Sequence, residues 1–126
     1  MSTIKVTNIQ ATGETVSRAV LGIAPVWINF NGTGTPSTTK SQNTSSITDN
    51  GTGQYHIAIT NAMADANFAA LGSVIGDSTG TNRVYALVAS RDANTTTRIS
   101  INTAEANAGS TSDWTHISAA VLGDLA

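Results

Sequence analysis

The chain has 126 residues, a formal net charge of −2 and no cysteine, which is typical of one domain and excludes a disulfide-stapled fold. Charged residues make up 11% of the chain, less than half of the roughly 25% usual in soluble domains. The six Lys and Arg residues are scattered, so the basic patch that nucleic-acid binding requires is not expected. Low charge also leaves little repulsion between copies, which favours self-association.

No leader or membrane segment is predicted. Residues 1–9 lack the apolar core of a signal peptide. The longest apolar stretch, residues 19–28, is interrupted by Gly22 and Pro25. It is too short to span a bilayer, which takes about 20 residues. The sequence therefore predicts no membrane partner.

Residues 1–22 are interpreted as an N-terminal arm that precedes a single domain, residues 23–126. Residues 2–9 predict a short strand, and residues 15–21 predict either a second short strand or a turn of helix. The arm either adds an edge strand to its own domain or reaches a neighbouring subunit or a larger scaffold. The candidate contact residues for the second case are Ile4, Val6, Val16 and Val20.

The next segment predicts the central strand of the domain. Val26, Ile28 and Phe30 alternate with Trp27 and Asn29, and side chains on a strand point to opposite faces with a period of two. Both faces carry a large apolar group near the start of this strand. That pattern indicates burial on both sides, either in a sandwich interior or in a contact between subunits.

Two Asn-Gly dipeptides, Asn31-Gly32 and Asn50-Gly51, are hairpin signals because both residues tolerate positive φ. Between them, residues 33–43 contain Pro36, which predicts a loop or an edge strand. After the second turn, residues 55–60 predict a strand that directs Tyr55, Ile57 and Ile59 to one face.

The later segments continue the same rhythm of short strands and turns. They are a helical turn or loop (61–67), a strand (68–75), a loop (76–82), a strand covered on both faces (84–89), a strand (95–102), a loop (103–113) and a closing strand (114–122). Seven or eight short strands separated by turns predict an all-β fold. The fold is expected to be a single antiparallel β-sandwich or a barrel-like (jelly-roll-like) domain.

The motifs of common enzymes are missing from the sequence. The chain has no P-loop, no nucleophile elbow and no cysteine nucleophile, and Ser37 stands where a Gly32-Thr33-Gly34 dinucleotide motif needs its third glycine. His56 and His116 are far apart on different predicted strands and do not predict a metal site. We therefore expect no catalysis, no cofactor and no bound metal.

A receptor contact is predicted at two loops. Asp77 and Asp113 lie in predicted loops, and Trp114 follows Asp113 at the start of the closing strand. Trp114 is a candidate platform for a sugar ring. The alternative interpretation makes it a rim residue that covers the end of the barrel.

Three blocks of the chain carry a resemblance. They are NFNGTGT at residues 29–35, SSITDNGTG at residues 45–53 and AMADANF at residues 62–68, preceded by Trp27 on the central strand and joined by Tyr55. They resemble a module of bacteriophage virion proteins, especially those of cyanophages and marine phages. The opening STIKV at residues 2–6, with Ile9-Gln10, also resembles the start of such proteins. The resemblance covers about half of the chain, and the part after Gly72 shares only the strand rhythm.

The resemblance implies a β-rich virion structural protein that assembles as a homotrimer. Because no internal repeat is present that would build a fibre shaft, we expect a capsid decoration (cement) protein or a knob on the virion surface. Its partners would be its own copies and a major capsid or tail protein, after assembly in the host bacterial cytoplasm. The alternative is a tail-fibre or tailspike module that binds a host surface glycan or receptor.

Overall fold

The computed structural model describes residues 24–75, 94–105 and 110–126 with their side chains, and the backbone of residues 8–9, 18–19 and 85–89. The described segments form short strands joined by turns. The strands are β1 (Asn8–Ile9), β2 (Arg18–Ala19), β3 (Val26–Asn31), β4 (Ser37–Gln42), β5 (Thr44–Asp49), β6 (Gln54–Ile59), β7 (Ala69–Ile75), β8 (Tyr85–Ala89), β9 (Arg98–Glu105), β10 (Ser110–Thr111) and β11 (His116–Leu122).

The two shortest N-terminal strands pair with each other. β1 runs antiparallel to β2, with Asn8 opposite Ala19, and the pair forms a sheet separate from the two larger ones. The strand interpretation of residues 15–21 therefore holds at Arg18–Ala19. The candidate contact residues Ile4, Val6, Val16 and Val20 lie outside the described residues, so their role stays a prediction.

Two antiparallel sheets make up the domain. The first sheet has the order β4-β3-β11-β7, and the second contains β5, β6 and β9 in that order. β8 and β10 both pair with Glu105 on β9, so they must lie on opposite edges of that strand. β8 therefore borders β9 on the side away from β6, and β10 continues the line of β6.

The two sheets pack face to face, which confirms the predicted β-sandwich and excludes the closed-barrel alternative. β3, β6 and β11 alternate between buried side chains and half-buried or exposed ones along their length. The buried apolar core consists of Val26, Ile28, Phe30, Tyr55, Ile57, Ile59, Met63, Ile99, Ile101, Trp114, Ile117, Ala119 and Val121. Burying each large apolar side chain contributes about 1.5–3 kcal/mol to folding.

One aromatic pair joins the sheets across the core. The ring of Phe30 on the first sheet meets the ring of Tyr55 on the second edge-on, with centroids 5.1 Å apart and planes at 76°. This geometry places the positive edge of one ring against the negative face of the other, and such pairs add about 0.5–1.5 kcal/mol beyond simple burial.

A single residue carries the chain from the first sheet to the second. Asn43, between β4 and β5, has a φ of 58°, a left-handed conformation that Asn tolerates better than most residues. Its side-chain oxygen accepts a hydrogen bond from the Asn61 backbone nitrogen at 2.7 Å, and its amide nitrogen donates to the Asn61 carbonyl at 3.1 Å. β4 and β5 are polar strands at the edges of the two sheets. β4 lies within residues 33–43, where Pro36 predicted a loop or an edge strand.

The structure decides between the two alternatives left open for residues 61–67, and it departs from the predicted bounds of one later strand. Residues 61–67 form a loop rather than a helical turn, because Met63 is buried and its backbone nitrogen donates to the Thr96 carbonyl at 2.8 Å. β9 extends to Glu105, three residues into the predicted loop, and begins only at Arg98. It extends because Thr103 is buried and its backbone nitrogen donates to the Gly53 carbonyl at 2.8 Å.

Candidate interaction surface

The first sheet exposes one side to solvent, which we call the outer face. Strand alternation directs its side chains away from the core. The outer face comprises Trp27 and Asn29 on β3, Lys40 and Gln42 on β4, Leu71, Ser73 and Ile75 on β7, and His116, Ser118 and Ala120 on β11. Opposite neighbours on adjacent antiparallel strands have Cβ atoms about 4.5–5.5 Å apart, so these side chains form one continuous surface.

Strand register arranges the outer face in two cross-strand rows. Ala120 lies opposite Trp27 on one side and opposite Leu71 on the other. Ser118 in the same way lies between Asn29 and Ser73. The middle strand therefore carries only small side chains at these positions, and Ala120 has a large side chain on each side, Trp27 and Leu71.

This size pattern creates a shallow groove. The groove has a volume of about 530 Å³, and the outward side chains that line it are Trp27, Asn29, Leu71, Ser73, Ser118 and Ala120. Its floor is low because Ser118 and Ala120 are short. One wall is the indole of Trp27, and the other is β7.

The wall on β7 is a ridge of exposed apolar side chains. Leu71 is 55% exposed and Ile75 is 62% exposed, and both point to the same side of the strand. Large aliphatic groups exposed beside an apolar groove form a patch of the kind that marks interaction sites on protein surfaces. The ridge and the groove lie next to each other, so the outer face has both a convex and a concave part.

The polar groups of the groove bond with one another. The Trp27 Nε1 donates to the Gln42 Oε1 at 3.1 Å, and the Asn29 Nδ2 donates to the Ser118 Oγ at 2.8 Å. Covering the groove therefore leaves these donors satisfied, which lowers the desolvation cost of an interface. β3, β7 and β11 contain no Asp, Glu, Lys or Arg, so no charge would be buried with them.

One end of the sandwich is closely packed, in contrast to the open groove of the outer face. The group of residues there, which we call the Tyr55 clamp, consists of Gly32, Gly53, Tyr55, Thr103 and Asp113. The fully buried Tyr55 donates its hydroxyl hydrogen to Asp113 Oδ1 at 2.6 Å, and the Gly32 carbonyl lies 3.1 Å away as a second, longer acceptor. The same Asp113 oxygen accepts from the Gly53 backbone nitrogen at 2.6 Å.

The glycines of the Tyr55 clamp are required by close approach. A Cβ on Gly32 would collide with the Tyr55 hydroxyl oxygen, and a Cβ on Gly53 would lie 2.5 Å from the Thr103 carbonyl oxygen. Gly53 also has a φ of 66°, which residues with a Cβ rarely adopt. Burial, reinforced by the hydrogen bond to Asp113, raises the pKa of Tyr55 above its ordinary value of 10.0.

The Tyr55 clamp decides where two of the predicted receptor residues lie. Trp114 packs in the core with 9% of its surface exposed, as the rim interpretation expected, so its ring face is not an open platform. Asp113 is exposed as a residue, yet one carboxylate oxygen is committed to Tyr55 and Gly53. A receptor contact by Asp113 stays a prediction, and Asp77 lies outside the described residues.

The sequence predicted only part of the outer face. The pattern at Trp27 indicated a second apolar side to β3, in a sandwich interior or a contact between subunits, and Trp27 is half-buried on the outer face. Leu71 and Ile75 lie on the side of β7 away from the partly buried Val74, and the sequence pattern did not predict their exposure. The exposure of Leu71 and Ile75 could have been predicted from Ser118 and Ala120, because these small side chains cannot cover them.

Among the residues with described side chains, no three His, Asp or Glu side chains come together as a group that could hold a metal ion. Within the same part of the chain, no helix is long and apolar enough to cross a membrane. His116 is exposed, and its Nδ1 lies 3.0 Å from the Thr115 hydroxyl oxygen. His56 is half-buried on β6.

No protein-family model, no curated protein sequence and no solved structure matches this chain.

Proposed function

We propose that this chain is a non-enzymatic structural protein of a phage virion, and that it self-associates into a homotrimer as a capsid decoration or knob protein. The observation that carries the self-association is the apolar part of the outer face, the ridge of Leu71 and Ile75 beside the groove over Ala120, on strands without Asp, Glu, Lys or Arg. The virion assignment rests on the resemblance of the three sequence blocks to phage virion modules.

The shape of the outer face supports contact between copies. The ridge of Leu71 and Ile75 forms one wall of the groove, and we propose that the ridge of one copy enters the groove of the next in a head-to-tail contact. Contacts of this head-to-tail kind close into a ring when the rotation between copies permits. A threefold ring is the expected closure, because trimers are what the resemblance implies.

The energetics of the outer face favour the same conclusion. Leu71 and Ile75 are more than half exposed in the single chain, and removing such surface from water yields about 25 cal/mol per Å². In the bonded pairs Trp27–Gln42 and Asn29–Ser118, the Trp27 Nε1 and one N–H of Asn29 keep their acceptors when the groove is covered. The chain's net charge of −2 gives little long-range repulsion between copies.

The test of self-association is light scattering on the purified chain across a dilution series. A trimer should keep three times the mass of the chain down to micromolar concentration, and Ala120→Arg should convert it to a folded monomer by filling the groove with a charge. Thr48→Arg is the matched control, because Thr48 is exposed on β5 in the other sheet. A wild-type chain that stays a monomer throughout would overturn the proposal.

The virion assignment has its own test, which is immunogold electron microscopy of intact particles with an antibody against this chain. Labels over the head would support a decoration protein bound to the major capsid protein. Labels on the tail would support a fibre or spike component instead. Particles without any label would remove the virion assignment and leave self-association standing alone.

A second candidate is recognition of a host surface glycan, favoured by the Trp27 indole beside Asn29 and Ser118 in the groove. Binding sites of this type combine an aromatic surface with a few placed polar groups. Binding to a glycan array that Trp27→Ala abolishes would favour this function. An array that shows no binding with the wild-type chain would remove it.

A further inference from the structure

The two Asn-Gly dipeptides share a chemistry that the fold treats differently. In an Asn-Gly sequence, the glycine backbone nitrogen attacks the side-chain carbonyl carbon of Asn and gives up its proton to water. Ammonia leaves with the amide nitrogen, and the product is a five-membered succinimide. Water then opens the ring to aspartate or isoaspartate. Glycine favours the attack because it has no Cβ to obstruct the approach.

The fold blocks this attack at Asn31-Gly32. The Gly32 nitrogen is not free to attack, because its N–H donates a hydrogen bond to the Trp114 carbonyl at 2.8 Å. Gly32 is buried against Tyr55. The target group is held as well, since the Asn31 Oδ1 accepts from the backbone nitrogen and the hydroxyl of Thr33 at 2.9 and 2.8 Å. Succinimide formation here requires this end of the core to open.

The fold leaves Asn50-Gly51 open. Both residues are exposed, and no atom lies within 4 Å of the place where a Gly51 Cβ would stand. The Gly51 nitrogen donates to Asp49 Oδ1 at 2.9 Å, an exposed carboxylate that water can replace. Among the residues with described side chains, none makes a hydrogen bond to the Asn50 side-chain amide. The backbone bonds of the turn, Asn50 nitrogen to the Gln54 carbonyl and Gln54 nitrogen to the Gly51 carbonyl, involve neither reacting group.

We propose that Asn50 is a site of spontaneous deamidation in the folded protein, and that the fold protects Asn31 from the same reaction. The modification changes the formal net charge from −2 to −3, since one neutral amide becomes one carboxylate. Isoaspartate in addition inserts a backbone carbon into the turn that joins β5 to β6. This proposal does not depend on the virion function.

The experiment is incubation of the intact, folded chain at mildly alkaline pH, followed by tryptic digestion and mass spectrometry at successive times. The two dipeptides fall in separate tryptic peptides, residues 19–40 and residues 41–83, and fragmentation assigns the reacting Asn within each. We expect Asn50 to deamidate at least about tenfold faster than Asn31, because reaction at Asn31 must wait for local opening.

The control is the same chain unfolded in denaturant, where both dipeptides should react at similar rates. Equal rates at Asn31 and Asn50 in the folded chain would overturn the proposal, and so would a folded chain in which Asn50 does not react. A difference between the two sites that persists in denaturant would also overturn it, because the cause would then be local sequence and not the fold.

Discussion

The Tyr55 clamp and the outer face are built on opposite principles, although they lie in one small domain. In the Tyr55 clamp, glycines admit close backbone approach, and the Tyr55 hydroxyl and the Gly53 nitrogen both donate to one oxygen of Asp113. On the outer face, small side chains leave space, and Leu71 and Ile75 project into solvent. The first region is specified by the chain's own contacts, and the second is left incomplete by them.

The contrast between the Tyr55 clamp and the outer face indicates which roles belong to the blocks that carry the phage resemblance. Gly32, Gly53 and Tyr55 lie in or beside those blocks, and all of them hold the end of the sandwich together. The turn within SSITDNGTG has a different kind of bond, from the Gly51 nitrogen to the exposed carboxylate of Asp49. These residues therefore have structural roles in this chain. Function, by contrast, is expected at the outer face, where the blocks contribute only Asn29 and neighbouring Trp27.

The largest expected effect of a substitution is at Gly53. Gly53→Ala should lower the free energy of unfolding by about 3–4 kcal/mol, because the new Cβ meets the Thr103 carbonyl and the backbone stays at positive φ. Gly34→Ala is the matched control: Gly34 has nearly the same φ, 64° against 66°, with no neighbour within 4 Å. Its cost should be about 1 kcal/mol. Urea titrations that give equal costs would show that close approach does not matter at Gly53.

The next effect in size concerns the hydroxyl of Tyr55. Tyr55→Phe keeps the ring against Phe30 and removes the bond to Asp113, so the free energy of unfolding should fall by about 1–2 kcal/mol. Asp113→Asn retains an oxygen acceptor and should cost less than Tyr55→Phe. If Tyr55→Phe is neutral in chemical denaturation, the Tyr55 clamp does not hold the sandwich end by this bond.

The raised pKa of Tyr55 adds a dependence on pH. The unfolded chain loses the Tyr55 proton near pH 10, whereas the folded chain keeps it to higher pH. Stability from this group is therefore complete below pH 10 and declines as the pH rises above 10. Alkaline unfolding of the wild type should accordingly be steeper than that of Tyr55→Phe, measured by circular dichroism. Parallel profiles for the two proteins would contradict this expectation.

The smallest effect on stability is expected on the outer face. Leu71→Gln should change the free energy of unfolding of the monomer by less than about 0.5 kcal/mol, because Leu71 is already 55% exposed. The same substitution should weaken self-association measurably by light scattering, since it removes an apolar side chain from the ridge. A large loss of monomer stability would mean that Leu71 belongs to the core, and the contrast between the two regions would disappear.

Strand periods and turn chemistry were sufficient to predict much of the fold. Alternation in β3 and β6 placed Val26, Phe30, Tyr55 and Ile57 on buried faces, because a strand with one side in a core must alternate. Asn50-Gly51 marked the turn between β5 and β6, with positive φ at Gly51. In the turn after β3 the positive φ is at Gly34 and not at Asn31 or Gly32, and Pro36 marked the edge strand β4. The number of short strands predicted a sandwich or a barrel-like domain, since each apolar strand face must be covered, and the structure decided for the sandwich.

What only the tertiary structure decided depends on which strands become neighbours. Ala120 lies between Trp27 and Leu71, residues far away in the chain, and no local pattern encodes that row. Asp113 is separated from Tyr55 and Gly53 by nearly half the chain. Its structural role could therefore not be predicted from the sequence, where it is one of several acidic residues in predicted loops. Local sequence determines which way a side chain points along its strand. The pairing of distant strands determines what it meets, and both the Tyr55 clamp and the outer face are made by that pairing.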